Sequence, residues 1–497
     1  MQKGKVYIAG AGPGDEKLVT LKCKELIMSA DVIIYDRLVS KKLLYYVKKD
    51  CELIYAGKEA SNHILKQFEI NNIMVEKAKQ NKVVLRLKGG DPFIFGRGGE
   101  EAEVLYKEDI EFEIVPGVSS FYSVCAYAGI PITHRDYSSS IHIFTGHKKD
   151  NNDIDYKKIS KLRGTLIFLM SIKNLENIIN NLIKEGLNKN LPVAVIQWGT
   201  TSKQKVIIGN LFDIFFKVKE ENINNVSVVV IGDVVNARAK LDWTIYKPLW
   251  KKKILVTRKF DEIEEFEKIL YEKGAFVVPF PTIEINNLEC FDELDTAINN
   301  ISSYNCILFT SVNSVKSFFD RMKNLNKDIR LLFNIKIFAI GEKTKAAIED
   351  KGIFIDFIPL KYNSREIIEL LKNNISKKEN ILYPTSDIVD NSLVNGIKCL
   401  GININKVKAY SNKINTIIDN DVFDEIINGE FDAIAFASSS QAKNFMNMTN
   451  RKFGNSKICS IGLKTTQTLK DLGINVDITS EISTMEGLAN SVLKVLL

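Results

Sequence analysis

Three short glycine-containing segments carry the residue types that suit a small-ligand site. They are Gly10–Asp15 (GAGPGD), the loop within Arg86–Glu101 (LKGGDP) and Val115–Ser120 (VPGVSS). Glycine lets a ligand approach the main chain because no Cβ stands in the way. The first segment lacks the GxGxxG spacing of dinucleotide turns, and Pro13 removes an N–H that a pyrophosphate would need. With Asp15 adding negative charge, the pattern favours a neutral or cationic ligand. A tight turn without a ligand is the alternative for this segment taken alone.

Charged side chains accompany the glycine segments. Arg86, Lys88 and Arg97 supply cations that could bind substrate carboxylates. Asp91 could face a sulfonium or an amino group. Asp36 follows a predicted strand and could accept a proton, although a helix N-cap or turn aspartate is the alternative.

The second half of the chain offers hydroxyl groups rather than a nucleophile constellation. No histidine follows His147, which excludes Ser-His-Asp and Cys-His mechanisms within this half. Hydroxyls at predicted strand ends could donate hydrogen bonds to carboxylates, but each alone could equally be a helix N-cap. The candidate substrate-binding hydroxyls are those of Ser311, Thr344, Ser438 and Thr465.

Short apolar runs that alternate with amphipathic stretches predict α/β layers with mostly parallel sheets. In the first half, strands are predicted over Val6–Ala9, Val32–Tyr35, Val83–Leu87 and Glu113–Val115, and helices over Leu18–Ser29 and Asn62–Gln80. The glycine segments then lie at the carboxyl ends of strands, where open α/β sheets bind their ligands.

The chain of 497 residues is too long for one hydrophobic core, since cores stop growing at roughly 250–300 residues. The best boundary is residues 244–253, which contain Pro248 and end in the basic run Lys251–Lys253. We expect this run to be a solvated linker. The expected domains are therefore residues 1–243 and 254–497.

The second domain contains an internal repeat. Tyr304–Ser311 recurs 127 residues later at Phe431–Ser438, and Ile340–Thr344 recurs 121 residues later at Ile461–Thr465. Repeated strand–turn–helix patterns in register predict two similar α/β lobes that face each other across a cleft.

Composition excludes several classes of function. The net charge is +7, but no basic stripe is interleaved with aromatic residues, so nucleic acid is the weaker choice of partner. Seven scattered cysteines without a CxxC pair predict reduced thiols in the cytoplasm, and no histidine spacing predicts a metal site. No apolar stretch approaches ~18 residues, and no targeting segment is visible, so we expect a soluble protein without a membrane span.

The first domain resembles the tetrapyrrole methylase family, and within it the uroporphyrinogen-III C-methyltransferases, over about residues 4–243. The sequence motifs RLKGGDPFIFGRGGEE and GIPITHRDYSS are typical of that group. The segments that carry the resemblance are Val6–Asp15, Ala30–Ser40, Arg86–Glu101, Val115–Ser120, Gly129–Arg135 and Thr145-Gly146-His147.

This resemblance implies a homodimer of two-lobed subunits, with lobes of about 1–116 and 117–243 and S-adenosylmethionine between them. It implies methylation of uroporphyrinogen III at C2 and C7 to give precorrin-2, with a proton acceptor at Asp36 and a proton donor at Lys58. Ser171 departs from the family, in which glycine is usual at that place, and the pair Ser119-Ser120 replaces the commoner Thr-Ala. The implied cofactor positions are Pro13, Gly89, Gly90, Asp91, Ile94, Ser119, Ser120, Met170 and Gly199.

The second domain resembles the uroporphyrinogen-III synthase family over roughly residues 251–497. The implied fold has two lobes joined by a two-strand ladder, with one lobe of about 254–285 plus 413–497 and another of 286–412. The implied reaction closes hydroxymethylbilane with inversion of its last ring, losing water and using no cofactor. Tyr410 matches the family's tyrosine and is expected to help the hydroxyl leave, although packing is the alternative. The segments that carry the resemblance are Ile254–Arg258, Tyr304–Phe319, Ile340–Ala347, Phe431–Phe445 and Ile461–Leu469.

Two alternatives stay open from the residues alone. The second domain could be a non-catalytic ligand-binding module, because such modules share a two-lobed duplication. The first domain could methylate a later corrinoid or RNA. The precorrin-2 product leads to both sirohaem and cobalamin, and the sequence favours neither destination.

Overall fold

A computed structural model describes residues 4–57, 65–146, 154–224, 226–359, 364–387, 391–415 and 420–497. Within these residues the chain forms four five-stranded sheets, two in each half. Helices cover both faces of the sheets, as expected for α/β layers. No helix in the described part of the chain is both long and apolar enough to cross a membrane.

The first sheet is fully parallel, with the strand order β3-β2-β4-β1-β5. Both of its faces are apolar because α1 packs on one face and α2 and α3 pack on the other. The strands are β1 (Lys5–Gly10), β2 (Val32–Tyr35), β3 (Glu52–Tyr55), β4 (Val83–Lys88) and β5 (Glu111–Val115), and the helices are α1 (Leu21–Ser29), α2 (Gln67–Lys79) and α3 (Gly98–Lys107).

The two helices predicted for this lobe, which correspond to α1 and α2, begin later than predicted. A short 3-10 turn at Glu16–Leu18 precedes α1, which begins after Thr20 because the Thr20 hydroxyl accepts a hydrogen bond from the Cys23 N–H at 3.3 Å. The helix expected over Asn62–Gln80 begins at Gln67, and residues 62–64 lie outside the described part of the chain.

The second sheet is mixed, so the prediction of mostly parallel sheets is wrong for this lobe. Its order is β6-β7-β10-β8-β9, and only the β6–β7 pair is parallel. The connection between β8 and β9 holds only residues 198–204, which is too short for the crossover that parallel strands require. The strands are β6 (Ile141–Thr145), β7 (Thr165–Leu169), β8 (Pro192–Gln197), β9 (Lys205–Asn210) and β10 (Ser227–Ile231), and the helices are α4 (Ser120–Tyr127), α5 (Tyr156–Ile159), α6 (Leu175–Lys184), α7 (Ile214–Glu220) and α8 (Arg238–Leu241).

The second half forms a third and a fourth sheet. Their strands are β11 (Lys253–Val256), β12 (Phe276–Pro279), β13 (Ile283–Asn286), β14 (Cys306–Phe309), β15 (Lys336–Ala339), β16 (Asn380–Ser386), β17 (Asn403–Ile414), β18 (Ala433–Phe436), β19 (Lys457–Ser460) and β20 (Ile478–Thr479). The helices are α9 (Glu264–Glu272), α10 (Asp292–Asn299), α11 (Val312–Asn324), α12 (Glu342–Glu349), α13 (Ser364–Asn374), α14 (Ser392–Cys399), α15 (Asn420–Ile427), α16 (Ser439–Met448), α17 (Leu463–Asp471) and α18 (Met485–Leu496).

The order of these strands reflects the sequence repeat. The third sheet has the order β12-β11-β18-β19-β20, and the fourth has β13-β17-β16-β14-β15. Strands β12-β11-β18-β19 therefore occupy the places that β17-β16-β14-β15 occupy in the other sheet. Each sheet combines two strands from the first repeat with two from the second, so the repeats have exchanged halves.

The expected lobe boundaries at residues 285 and 413 fall inside strands β13 and β17. Strand β13 pairs antiparallel with the far end of β17, from Ile283 opposite Ile414 to Asn286 opposite Ser411. Because β17 also pairs with β16, this two-stranded ladder belongs to the fourth sheet. The chain therefore enters the fourth sheet at residues 280–282 and leaves it after residue 414.

The segment expected to be a solvated linker is packed. Trp243 lies 5.3 Å from Tyr127 and 5.5 Å from Trp250, measured between ring centroids, and Trp250 lies 6.0 Å from Phe276. Lys253 begins β11, is buried and forms an ion pair with a glutamate of α15. The boundary between the halves is therefore a structured junction.

Candidate functional site

A cavity of about 630 Å³ lies between the first and second sheets. One wall consists of residues that follow β1, β2 and β4, together with the start of α4. The opposite wall consists of residues that follow β7 and β8 and of those at the start of β10. The volume lies within the ~300–1,000 Å³ of small-molecule sites, so the space between the lobes can enclose a ligand.

The three glycine segments meet at this cavity. The Ala11 N–H donates to the Lys88 carbonyl at 2.7 Å, and Gly12 and Gly90 exchange two main-chain hydrogen bonds of 3.2 and 2.7 Å. A Cβ on Gly10 would lie 2.6 Å from the Gly117 Cα, so the third segment can approach only because Gly10 has none. The cause is the sheet order, because β1 lies between β4 and β5 and all three strands end at one edge.

The second glycine segment leaves bare main chain against the cavity. Gly90 has φ +68°, and a Cβ built there would stand 3.8 Å or more from any other atom of the chain. The Asp91 carboxylate accepts hydrogen bonds from the N–H groups of Phe93 at 2.8 Å and Gly117 at 3.0 Å. Asp91 thus ties the second segment to the third while lining the same cavity.

Four non-glycine residues that line this cavity have left-handed backbone. Phe95, Met170, Trp198 and Val226 all line it, with φ angles of 53°, 53°, 49° and 70°. Each such conformation costs about 1–3 kcal/mol and persists only where the surrounding structure enforces it. Three of the four belong to the second lobe. The shape of the cavity wall from that lobe therefore depends on strained backbone at the ends of its strands.

The structure brings all nine predicted cofactor positions to this one cavity. They are Pro13, Gly89, Gly90, Asp91, Ile94, Ser119, Ser120, Met170 and Gly199. Sequence reasoning missed Arg37, Lys173, Trp198 and Thr201, which also line it. The sequence feature that could have identified them is that each lies a few residues after a predicted or observed strand. Cofactor binding by the nine stays a prediction.

Asp15 does not contribute as expected. Its side chain is buried, and it is absent from the described lining of the cavity. One carboxylate oxygen accepts from the Lys17 N–H at 2.9 Å, and the other accepts from the hydroxyls of Tyr127 and Tyr271, each at 2.8 Å. The charge of Asp15 therefore faces these donors and says nothing about the charge of the ligand.

Arg86 and Lys88 also differ from expectation, because their side chains are only 2% and 4% exposed. The Arg86 guanidinium lies 2.5 Å from the Asp36 carboxylate and 3.0 Å from that of Glu101. The Lys88 ammonium lies 3.0 Å from Glu101 and 3.7 Å from Asp36. Both cations bind carboxylates of this chain, so the structure does not support their expected contact with substrate carboxylates.

This cluster of Asp36, Arg86, Lys88 and Glu101 positions one accessible carboxylate. Asp36 is 30% exposed, whereas Glu101 is fully buried. Burial lowers the pKa of Lys88, and the neighbouring Arg86 lowers it further. Burial also acts to lower the pKa of Arg86, but the charges of Asp36 and Glu101 outweigh it and raise that pKa. Sequence reasoning missed Glu101. The feature that could have identified it is its position in α3, the helix that follows the strand carrying Arg86 and Lys88.

Two predicted residues need separate comment. Lys58 lies outside the described residues. Arg97 stands at the start of α3 and is half-exposed, and its guanidinium binds Glu100 through two contacts of 2.9 and 2.6 Å. It follows the cavity-lining Ile94 and Phe95, so of the three predicted cations it alone is accessible to a substrate.

In the second half, the four candidate hydroxyls fall into two kinds. Ser311 and Ser438 are N-caps of α11 and α16, and they accept hydrogen bonds from the N–H groups of Ser314 at 3.1 Å and Gln441 at 3.2 Å. They are half-buried and occupy equivalent places in the two repeats. Thr344 and Thr465 are buried within α12 and α17, so a substrate can reach the two serines more easily.

Tyr410 lies near the end of β17, beside the Ser311 cap. Its hydroxyl is 3.2 Å from the Ser311 hydroxyl, and the side chain is 8% exposed. Burial raises the pKa of Tyr410, so its hydroxyl keeps its proton at neutral pH. The pair can therefore donate a proton or a hydrogen bond at the carboxyl edge of the fourth sheet.

Arg258 is a candidate that sequence reasoning missed, although it ends one of the quoted segments. It follows β11 at the carboxyl edge of the third sheet. Its Nε is one of only two buried side-chain nitrogen or oxygen atoms in the described parts of the chain that lack a hydrogen-bond partner. Its guanidinium also lies 3.4 Å from the Glu262 carboxylate, but it is partly exposed and could bind a carboxylate ligand as well.

Comparison with known proteins assigns a family to each half. The family model for tetrapyrrole (corrin/porphyrin) methylases matches residues 5–214, and the one for uroporphyrinogen-III synthase HemD matches residues 264–490. The porphyrin biosynthesis protein HemD of Ruminiclostridium josui is 35% identical over 498 residues, covering 100% of this chain and 99% of that protein.

Two shorter relatives match the first half. The uroporphyrinogen-III C-methyltransferase of Priestia megaterium is 51% identical over 235 residues, which are 47% of this chain and 99% of the relative. The S-adenosyl-L-methionine-dependent uroporphyrinogen III methyltransferase of Methanosarcina barkeri is 47% identical over 236 residues, which are 47% of this chain and 92% of the relative.

Proposed function

The chain belongs to the tetrapyrrole methylase family and the uroporphyrinogen-III synthase family, and we propose on this premise that it catalyses two successive steps of tetrapyrrole synthesis. The second half cyclises hydroxymethylbilane to uroporphyrinogen III. The first half methylates that product at C2 and C7 with S-adenosylmethionine, giving precorrin-2. The observation that carries the proposal is the cavity at which the three glycine segments converge.

The charges that line the cavity fit S-adenosylmethionine. Among the described residues, the lining contains one carboxylate, Asp91, and two cations, Arg37 and Lys173. These match the cationic sulfonium and amino groups and the anionic carboxylate of the methionine part. The bare main chain at Gly90 accepts a group in van der Waals contact, because no Cβ occupies that space. When bound, the cofactor supplies a methyl group on a sulfonium, which leaves a neutral thioether.

The residues around the cavity position the reactants and handle a proton. Walls from two lobes exclude water and align the acceptor carbon with the methyl group. A methylated pyrrole carbon leaves a cationic ring that must lose a proton, and Asp36 beside the cavity can accept it. Arg86 and Lys88 hold the Asp36 carboxylate in place from behind. The proton donor that the family resemblance implies at Lys58 stays a prediction.

The second half needs an acid and groups that bind carboxylates. Ring closure of hydroxymethylbilane releases its terminal hydroxyl as water, and Tyr410 can donate the proton that this departure requires. Ser311, Ser438 and Arg258 at the carboxyl edges of two sheets can bind the carboxylates of the folded chain.

One anaerobic experiment tests both steps. The full chain is incubated with hydroxymethylbilane, with and without S-adenosylmethionine, and the products are separated by chromatography and mass spectrometry. We expect uroporphyrinogen III without the cofactor and a product heavier by two methyl groups with it. Isomer I alone would contradict the synthase assignment. Uroporphyrinogen III that stays unmethylated would contradict the methyltransferase assignment and would favour another corrinoid or RNA as its substrate.

Assembly and location are further parts of this proposal. The family resemblance supports a homodimer formed by the methyltransferase half, and sedimentation should then give twice the 56.2 kDa of one chain. All seven cysteines are unpaired, which supports a reducing compartment such as the cytoplasm. The product can serve sirohaem or cobalamin synthesis.

A further inference from the structure

Helix α9 of the second half contacts the turn that carries the cofactor site of the first half. The Tyr271 hydroxyl on α9 lies 2.8 Å from a carboxylate oxygen of Asp15. Asp15 directly follows Pro13 and Gly14, which line the cavity. A side chain that moves Asp15 therefore acts on the wall of the cavity through one peptide link.

Asp15 has the contacts of a buried anchor. Its side chain accepts three hydrogen bonds, from the Lys17 N–H and from two tyrosine hydroxyls, and its own N–H donates to the Thr200 hydroxyl at 3.2 Å. Tyr127 belongs to the second lobe of the first half, and Tyr271 belongs to the second half. Burial and the charge of Asp15 raise the pKa values of both tyrosines, so both hydroxyls keep their protons and donate.

A second contact fixes the same helix against the same turn. The Lys42 ammonium lies 2.8 Å from the Glu16 carboxylate and 3.0 Å from that of Glu267. Glu16 follows Asp15 in sequence, and Glu267 lies four residues before Tyr271, on the same face of α9. One face of α9 is thus linked to Asp15 directly, through Tyr271, and to Glu16 indirectly, through Lys42.

We infer that the second half of the chain supplies a positioning residue, Tyr271, to the cofactor site of the first half. Tyr271 acts through Asp15, which it holds with Tyr127 so that the main chain of Pro13 and Gly14 keeps the shape that the ligand requires. Binding of S-adenosylmethionine therefore depends on the synthase half, although no residue of that half lines the described cavity. The inference rests on the proposed function of the cavity.

The test compares two tyrosine variants of the full chain. Tyr271→Phe removes the donor to Asp15, whereas the control Tyr304→Phe removes a hydroxyl that is bonded to Asn405 in the fourth sheet. Titration calorimetry measures the affinity for S-adenosylhomocysteine. We expect Tyr271→Phe to bind about five- to tenfold more weakly, less than the full effect of one hydrogen bond to a charged group, because Tyr271 acts on the ligand only through Asp15. Tyr304→Phe should bind as the unmodified chain does.

Steady-state kinetics separates positioning from general damage. In Tyr271→Phe the KM for S-adenosylmethionine should rise by about the same factor as the dissociation constant, while kcat and the ring-closure rate change by less than about twofold. In a double-mutant cycle, Tyr271→Phe should add little loss of affinity in a chain that already carries Asp15→Asn, because the hydrogen bond from Tyr271 to the carboxylate is then already absent.

Unchanged affinity in Tyr271→Phe, in a chain that otherwise binds S-adenosylhomocysteine, would overturn the inference and leave the proposed function standing. An equal loss in Tyr304→Phe would overturn it too, because the effect would then not pass through Asp15. If the unmodified chain bound no S-adenosylhomocysteine, the proposed function of the cavity would itself be wrong, so the two failures are distinguishable.

Discussion

Gly90 and Asp36 act through different physical effects at the same site. Gly90 has φ +68° and no side chain, so the space that a Cβ would occupy stays open to the cavity. Asp36 contributes a carboxylate whose position depends on Arg86 and Lys88 behind it. Substitutions at these two residues should therefore separate cofactor binding from turnover.

Substitution of Gly90 by alanine should reduce cofactor affinity. The control is Gly352→Ala, which has φ +82° and no atom within 4 Å of the added Cβ. Both variants should lose about 1–2 kcal/mol of stability, because alanine is strained in the left-handed region. Only Gly90→Ala should bind S-adenosylhomocysteine at least ~10-fold more weakly, because its Cβ enters the cavity. Thermal unfolding and calorimetry measure the two effects, and equal affinities would place the ligand elsewhere.

Substitution of Asp36 by asparagine should reduce turnover and preserve binding. The amide has a similar shape but cannot accept the proton, so kcat for methylation should fall by about 10²–10⁴. The affinity for S-adenosylhomocysteine should change by less than about twofold, since Asp36 is not among the described lining residues. Parallel losses of kcat and affinity would mean that Asp36 only supports the loop that follows it.

At the scale of elements, two neighbouring strands of the fourth sheet position the tyrosine that is the candidate proton donor of the second half. Strands β16 and β17 run side by side, and they carry Tyr383 and Tyr410. Tyr410 packs in the core on one face of the fourth sheet with Ile307 and Phe318, whereas Tyr383 packs in the core on the other face with Ile381. The two tyrosines are thus a matched pair in one sheet.

Tyr410→Phe should slow ring closure, whereas Tyr383→Phe should not. The first change removes the donor beside Ser311, so we expect the enzymatic rate to fall about 10²-fold or more, with isomer I rising among the products as spontaneous closure competes. The second change removes a buried hydroxyl that lies 3.3 Å from Thr310, at a similar cost in stability. Chromatography of the oxidised isomers measures the outcome. Equal rates in the two variants would show that Tyr410 only packs.

At the scale of the whole molecule, buried charges join the two halves. Burial acts to lower the pKa of Lys42, but the charges of Glu16 and Glu267 outweigh it and raise the pKa above the ordinary value of 10.5. A raised pKa in the folded state means that the ion-pair contribution is fully present below pH 10.5 and is lost as pH rises through the folded pKa.

Lys42→Met should destabilise the protein by about 3 kcal/mol at pH 7, because it leaves two largely buried carboxylates without their cation. The control is Lys41→Met, whose ion pair with Asp421 also joins the halves but is exposed and should contribute less than about 1 kcal/mol. Urea unfolding followed by tryptophan fluorescence measures both, because Trp243 and Trp250 lie at the junction. The deficit of Lys42→Met should be constant from pH 7 to 9 and shrink above pH 10.5. A deficit no larger than that of Lys41→Met would contradict the buried role of Lys42.

The sequence alone determined the features that depend on local residue pattern. Glycine segments after apolar strands indicated one wall of the cavity, because the carboxyl ends of parallel strands share one edge, whereas the set of nine cofactor positions came from the family resemblance. The repeat of 127 residues predicted a duplicated second half, and the strand order agrees with it. These properties follow from the conformational freedom of glycine and from apolar periodicity, and both depend on residues that are close together in the sequence.

Only the tertiary structure decided which side chains meet across the chain. It buried Arg86 and Lys88 against Glu101, turned Asp15 towards Tyr271, 256 residues later, and placed β13 in the fourth sheet. It also made the second sheet mixed, which the strand patterns themselves did not indicate. The physical reason is that charge type is local, whereas a charge's partner and its burial depend on how distant elements pack. The dependence of the first site on the second half is therefore a property of the folded chain alone.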